Sequence, residues 1–156
     1  MTPRKLLRRV LVANRGEIAV RIVRSCRSLG IETVLAVSGA DAGALPARLA
    51  DAAVRIGPSA QAGAPAAGYL DVAAVVGAAQ AAGADAVHPG YGFLAESPRL
   101  AHACADAGLV FIGPTAGQLE AAGDKLAARA RAAAAGLPVI PGGACLLYTS
   151  PSPRDS

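Results

Sequence analysis

The sequence contains no tryptophan, and its two phenylalanines and three tyrosines amount to 3% of 156 residues. A core built on large rings is therefore excluded. The apolar fraction of 53% must pack through valine, isoleucine, leucine and a great deal of alanine. Charge is also sparse, at 17% of residues with a net value of +4. The basic residues fall in short groups: Arg4, Lys5, Arg8 and Arg9 near the start, and Arg21, Arg24 and Arg27 further on. Without one continuous basic face and interleaved aromatics, no nucleic-acid partner is indicated. No apolar run is long enough to span a bilayer, so no membrane partner is expected. The basic start is not followed by the apolar stretch and small-residue cleavage site of a secretory signal. Cys26, Cys104 and Cys145 are isolated and odd in number. They support neither a disulfide framework nor a metal site, and they suit a reducing, cytoplasmic setting. Cys26 and Cys104 fall on apolar helix faces and read as small buried hydrophobes.

What is present is an alternation of strand and helix, with a length that suits one domain. Residues 9–13 read as a buried strand and 17–29 as a helix, with Ile18, Ile22, Cys26 and Leu29 on its apolar face. Glu17 stands four residues before Arg21, a favourable pair on the opposite face. Gly30 ends this helix at a position that needs a left-handed residue. Residues 33–37 form a second strand, 45–50 a short helix and 54–56 a short strand. Residues 57–68 are a Gly/Ala/Pro loop. Asp71 caps a helix over 72–82 that Gly83 closes. Residues 85–88 form a strand, and Ser97-Pro98 supplies a cap and a first-turn proline for a helix over 99–107. Gly108 ends that helix, and 109–112 form a further strand. Thr115 and Gln118 make a capping box that opens a long alanine-rich helix, interrupted at Gly123 and ended at Gly136. Residues 137–140 are a last extended piece.

Strands separated by helices imply βαβ units, and short Val/Ile/Leu-rich strands suit a sheet covered on both sides. The expected fold is α/β, a Rossmann-like parallel sheet with helices on both faces. Ligands of such sheets bind beyond the carboxyl ends of the strands. That rule places Asn14-Arg15-Gly16, residues 38–41, residues 88–96 and Gly113-Pro114-Thr115 along one rim. A dinucleotide site would need a Gly-x-Gly-x-x-Gly turn, and only Gly16 is present. Asp41 could serve as the acidic ribose partner of such a site, but the missing glycines argue against it. Asn14-Arg15-Gly16 alone reads equally as a tight strand-to-helix connection, in which Asn tolerates left-handed geometry and can cap a helix. The loop His88-Pro89-Gly90-Tyr91-Gly92-Phe93-Leu94-Ala95-Glu96 allows close backbone approach at Gly90 and Gly92. Tyr91 and Phe93 offer flat apolar faces there. An interdomain packing loop is the alternative reading, and His88 reads as a strand-end histidine with no role as a base.

Asn14-Arg15-Gly16-Glu17-Ile18-Ala19 and His88-Pro89-Gly90-Tyr91-Gly92-Phe93-Leu94, with Glu96 beyond, closely resemble signatures of the biotin carboxylase family. Leu49-Ala50-Asp51, Ile56-Gly57-Pro58, Tyr69-Leu70, Phe111-Ile112-Gly113-Pro114 and Gly123-Asp124-Lys125 continue the resemblance in order, over residues 9–142. The resemblance implies a pre-ATP-grasp N-terminal domain over residues 1–114. It also implies a linking helical segment over 115–144, leading toward an ATP-grasp domain. In the family, MgATP activates bicarbonate, and carrier-tethered biotin takes up the carboxyl group. By resemblance Lys125 binds ATP phosphate, where a positive point charge offsets phosphate charge. Read without the family, it is a solvated lysine on an alanine-rich helix. By resemblance Tyr91 and Gly92 border the biotin pocket. The implied partners are biotin carboxyl carrier and carboxyltransferase domains or subunits, with a homodimer when complete. Three departures stand out. The loop over residues 59–68 is longer than the family's, Pro46 replaces a usual histidine, and Ala52 replaces a usual acid.

The composition breaks after Ala144. The string Cys145-Leu146-Leu147-Tyr148-Thr149-Ser150-Pro151-Ser152-Pro153-Arg154-Asp155 is what translation of a transposase-library sequencing adapter gives. Residues 145–156 are therefore expected to be non-native, with a natural Ser/Pro-rich linker as the alternative. The family's glycine-rich phosphate lid, acidic magnesium ligands and bicarbonate-activating groups have no counterpart here. The chain alone is accordingly expected to hold no catalytic and no metal-binding residues and to be inactive. Another ATP-grasp ligase and a non-catalytic assembly module are the alternatives. The acceptor of the carboxyl group belongs to the carboxyltransferase and is not encoded in this sequence.

Overall fold

The computed structural model describes residues 6–57 and 67–140, apart from the side chain of Lys125. The tail at 145–156, the N-terminal Arg4 and Lys5, and most of the loop expected at 59–68 lie outside the described residues. Five strands form one parallel sheet: β1 (Arg9–Val12), β2 (Glu32–Val37), β3 (Ala52–Arg55), β4 (Ala86–His88) and β5 (Val110–Phe111). Their spatial order is β3-β2-β1-β4-β5. The chain thus runs outward from β1 to β3, then jumps back past β1 to lay down β4 and β5. This reversal makes the crevice between the ends of β1 and β4 a topological switch point.

Helices cover both faces, as the strand-helix alternation predicts. Val10 and Val12 of β1 face one side, where they pack with Ala19, Val23 and Cys26 of α1 (Gly16–Ser28). α2 (Leu45–Leu49) packs beside α1, and the Arg27 guanidinium donates to the carbonyl of Leu49. Leu11 and Ala13 face the other side. They meet Val75, Ala78 and Ala79 of α3 (Val72–Ala81), and Leu100 and Cys104 of α4 (Pro98–Asp106). The two-residue period of β1 therefore divides one strand between two cores. Cys26 and Cys104 are both buried, and burial pushes the Cys104 thiol up to about 11.

Local chemistry sets the helix ends. Asp71 Oδ1 accepts the Ala74 N–H at 3.1 Å, and Ser97 Oγ accepts that of Leu100 at 3.3 Å. Thr115 and Gln118 form a reciprocal box at the start of α5 (Ala116–Gly123), with bonds of 2.8 and 3.3 Å. At the end of α4, the Gly108 N–H reaches the Ala105 carbonyl and the Leu109 N–H reaches that of Cys104. This paired pattern satisfies carbonyls left over by the helix and sends Leu109 straight into the core. α1 and α3 end the same way.

Two details differ from the sequence reading. The buried stripe of α1 is Ala19, Val23 and Cys26, while Leu29 is 72% exposed. Leu29 is the C-cap residue, past the last helical turn, so it no longer faces the sheet. β3 starts at Ala52, two residues earlier than expected, because it pairs in register with β2 from Val34↔Ala52 onward. Asp51 fixes that entry by accepting the N–H and hydroxyl of Thr33 at 2.8 and 2.9 Å, bonds that hold its carboxyl below the usual range. Pro46 is buried at the start of α2, and Ala52 is exposed.

The chain divides into two compact units after Leu119. The first holds the sheet and α1–α4. The second carries α6 (Lys125–Ala134), which the break at Gly123 separates from α5. Asp124 caps α6 by accepting the N–H groups of Leu126 and Ala127 at 2.9 and 3.1 Å. No helix among the described residues is long and apolar enough to cross a membrane.

Candidate functional site

The rim at the carboxyl ends of the strands carries most of the unusual polar chemistry. Asn14 follows β1 directly and is only 1% exposed. A buried amide must find partners or lose their hydrogen-bond energy. Its Nδ2 donates to the carbonyls of Pro89 at 2.7 Å and Tyr91 at 2.9 Å, and its Oδ1 accepts the Arg15 N–H at 2.9 Å. Asn14 is therefore a strut across the switch point. It is not the helix cap that the sequence also allowed, since the N-cap residue of α1 is Arg15, with no side-chain cap bond. The crevice where a Rossmann fold admits a dinucleotide is bridged here by protein.

The loop after β4 is shaped to fit that strut. Gly90 has φ +69°, and a Cβ there would lie 2.7 Å from Asn14 Nδ2 and 2.8 Å from Ile18 Cγ2. Its N–H donates to His88 Nδ1 at 3.0 Å, so that nitrogen carries no proton. Burial also pulls the His88 pKa below its ordinary value, which favours the neutral ring. His88 is thus a half-buried residue that orders the loop. Phe93 has φ +45°, the only positive value at a non-glycine among the described residues. Such a backbone costs about 1–2 kcal/mol. The Phe93 ring stacks on Tyr69, with centroids 5.1 Å apart and planes 19° apart.

Tyr69 belongs to a polar cluster beneath the loop that the sequence reading missed. The tyrosine is 1% exposed. Its hydroxyl donates to Asp41 Oδ2 at 3.2 Å and accepts the Ser38 N–H at 3.3 Å. Burial is the main cause that raises its pKa above the usual phenol value. Asp41 also accepts the Ser38 hydroxyl at 2.7 Å and pairs with the Arg15 guanidinium at 2.9 Å. Its carboxylate is fully engaged and 8% exposed as a residue, so it does not serve as a ribose partner. The available signal for Tyr69 was scarcity: a buried tyrosine in so alanine-rich a chain needs a partner for its hydroxyl.

Three of the four rim segments expected from sequence are thus joined through the first, by the Asn14 hydrogen bonds to residues 88–96 and the Arg15–Asp41 ion pair. Gly113-Pro114-Thr115 stands apart, with Thr115 committed to its capping box. Tyr91 projects from the loop, 65% exposed, and its hydroxyl donates to Glu17 Oε1 at 3.2 Å. That bond raises the Tyr91 pKa and turns Glu17 toward the loop, in place of the expected pairing with Arg21. A Cβ at Gly92 would meet nothing within 4 Å. Tyr91 and Gly92 therefore present a flat ring and open space at the top of the rim. Lys125 is the first residue of α6, in the second unit. No group of three or more His, Cys, Asp or Glu among the described residues could hold a metal ion.

Comparison with known proteins identifies the family and the fold. The family "biotin carboxylase, N-terminal domain" matches residues 6–119. Biotin carboxylase 1 of Bacillus subtilis (strain 168) is 47% identical over 137 residues, covering 88% of this chain and 30% of that protein. The solved biotin carboxylase domain of a single-chain bacterial carboxylase is 50% identical, with a TM-score of 0.82 over 90% of this chain and 32% of its own. The biotin carboxylase domain dimer of the Hydrogenobacter thermophilus 2-oxoglutarate carboxylase, solved with MgADP and bicarbonate, is 41% identical. Its TM-score is 0.83 over 90% of this chain and 30% of that one. The chain thus spans about a third of the length of these relatives. With its two signature strings bonded to each other at the switch point, the chain belongs to the biotin carboxylase N-terminal domain family.

Proposed function

We propose that this chain is the N-terminal part of an ATP-dependent biotin carboxylase, a ligase that carboxylates carrier-bound biotin with bicarbonate and MgATP. The observation that carries the reading is the clamp between the two signature strings: Asn14 of the first holds the Pro89 and Tyr91 carbonyls of the second. It presents an exposed aromatic ring beside a glycine with open space around it. Biotin's bent bicycle has an apolar tetrahydrothiophene ring that packs against an exposed aromatic face, so Tyr91 and Gly92 are assigned to the border of the biotin pocket. ATP, where bound, supplies the phosphoryl group that activates bicarbonate.

Lys125 is assigned to ATP phosphate. It opens α6, and the Asp124 carboxylate occupies the next amides of that helix. A phosphate there would rely on the lysine charge more than on open helix amides. Magnesium is assigned to no described residue, and catalytic residues to none in this chain. In the complete enzyme, residues 115–144 lead toward the ATP-grasp domain and residues 145–156 have no native counterpart. The complete enzyme is cytoplasmic, dimeric, and works with biotin carrier and carboxyltransferase domains or subunits.

The test is Lys125→Ala in the complete enzyme. Loss of one charged phosphate contact should lower kcat/KM for ATP about 10- to 100-fold. The KM for biotin should stay unchanged. A variant with wild-type ATP kinetics would overturn the assignment of Lys125 to ATP phosphate.

A further inference from the structure

The loop that carries Tyr91 and Gly92 is gripped at both ends. Asn14 holds the carbonyls of Pro89 and Tyr91 on one side. On the other, Phe93 lies flat on Tyr69 in a backbone conformation that non-glycine residues avoid. Tyr69 is itself immobilised through its hydroxyl, between Asp41 Oδ2 and the Ser38 N–H. Asp41 in turn is held by the Ser38 hydroxyl and the Arg15 guanidinium. A continuous line of contacts therefore runs from the turns after β1 and β2, through Asp41 and Tyr69, to Phe93.

The chemistry of this line is unusual for its place. A phenylalanine could fill the core position of Tyr69 without bringing a hydroxyl and a carboxylate out of water. Buried polar networks are costly to desolvate and return geometric definition more than stability. We infer that Tyr69 is a positioning residue: through Phe93 it fixes how Tyr91 and Gly92 face their ligand. The inference rests on the assignment of Tyr91 and Gly92 to the biotin pocket. Tyr69 touches no ligand itself, and its hydroxyl acts through the ring it holds in place.

The test uses Tyr69→Phe, which keeps the stacked ring and removes only the hydroxyl. In the 156-residue chain, amide hydrogen exchange should accelerate in the loop turns closed by the Ala95 N–H to Gly92 and Ser97 N–H to Leu94 bonds. Amides of β1 and β2 should keep their protection. In the complete enzyme, the KM for biotin should rise about five- to tenfold, the equivalent of one hydrogen bond. The KM for ATP, and kcat at saturating biotin, should hold. Tyr91→Ala is the control. If it raises the biotin KM and Tyr69→Phe does not, positioning by Tyr69 is overturned and the pocket assignment stands. If Tyr91→Ala leaves the biotin KM untouched, the pocket assignment fails and the inference falls with it. Faster exchange across the whole sheet in Tyr69→Phe would mark a purely structural residue. Asp41→Ala, which removes the acceptor of the Tyr69 hydroxyl and leaves the stacked ring in place, carries the same comparison should Tyr69→Phe not fold.

Discussion

Gly90 and Gly92 stand two residues apart in one loop, both with positive φ, yet they answer to different constraints. At Gly90 the backbone and the space are both restrictive, because a Cβ would press on the Asn14 amide and on Ile18. At Gly92 only the backbone is restrictive. Gly90→Ala should therefore cost about 2–4 kcal/mol, since it adds overpacking to left-handed strain. Gly92→Ala should cost about 1 kcal/mol, the strain alone. Urea unfolding of the two variants measures the difference, and equal losses would mean that the Asn14 strut gives way freely. The sequence shows that both glycines punctuate the loop, but the strut was not legible. Asn14 and Pro89 are far apart in sequence, and the side chain of Asn14 has local roles open to it that a single sequence cannot rank. The partners of Asp41 were hidden for the same reason, because Arg15 and Tyr69 come from two distant turns.

Helix ends were far more legible than strand bounds, because capping is decided within four residues. Asp71, Ser97 and the Thr115–Gln118 box all act where their spacing places them. Strand bounds depend on pairing, and β3 begins where β2 offers partners. Cys26 lies on the buried face of α1 as expected, but Ile18 and Ile22 stand one residue before the buried Ala19 and Val23, because isoleucine outweighs alanine in a pattern of apolar residues. α3 offers a clean contrast between two glycines. Gly77 lies inside the helix, exposed, and a Cβ there would meet nothing within 4 Å. Gly83 ends the same helix with φ +60°. Gly77→Ala should stabilise the protein by about 0.5–1 kcal/mol, and Gly83→Ala should destabilise it by about 1 kcal/mol. Paired thermal melts decide it, and a loss at Gly77 would show that this face of α3 is not free.

For the molecule as a whole, the switch point governs the reading. An open α/β sheet of this order usually keeps the crevice between β1 and β4 free for a ligand. Here Asn14 ties the two loops together across it, and the exposed chemistry moves outward to Tyr91 and Gly92. The described residues provide a shaped rim and no metal cluster, in a chain that spans about a third of its relatives. Under the proposed function, the rim is one wall of an ATP-dependent site that the complete enzyme supplies. The direct measurement is ADP release that depends on bicarbonate and is stimulated by free biotin. It is made on the 156-residue chain and on the longer, complete enzyme of the proposed function. The account predicts no turnover from the chain and biotin-stimulated turnover from the longer protein. Turnover by the chain alone, or none by the longer protein, would contradict it.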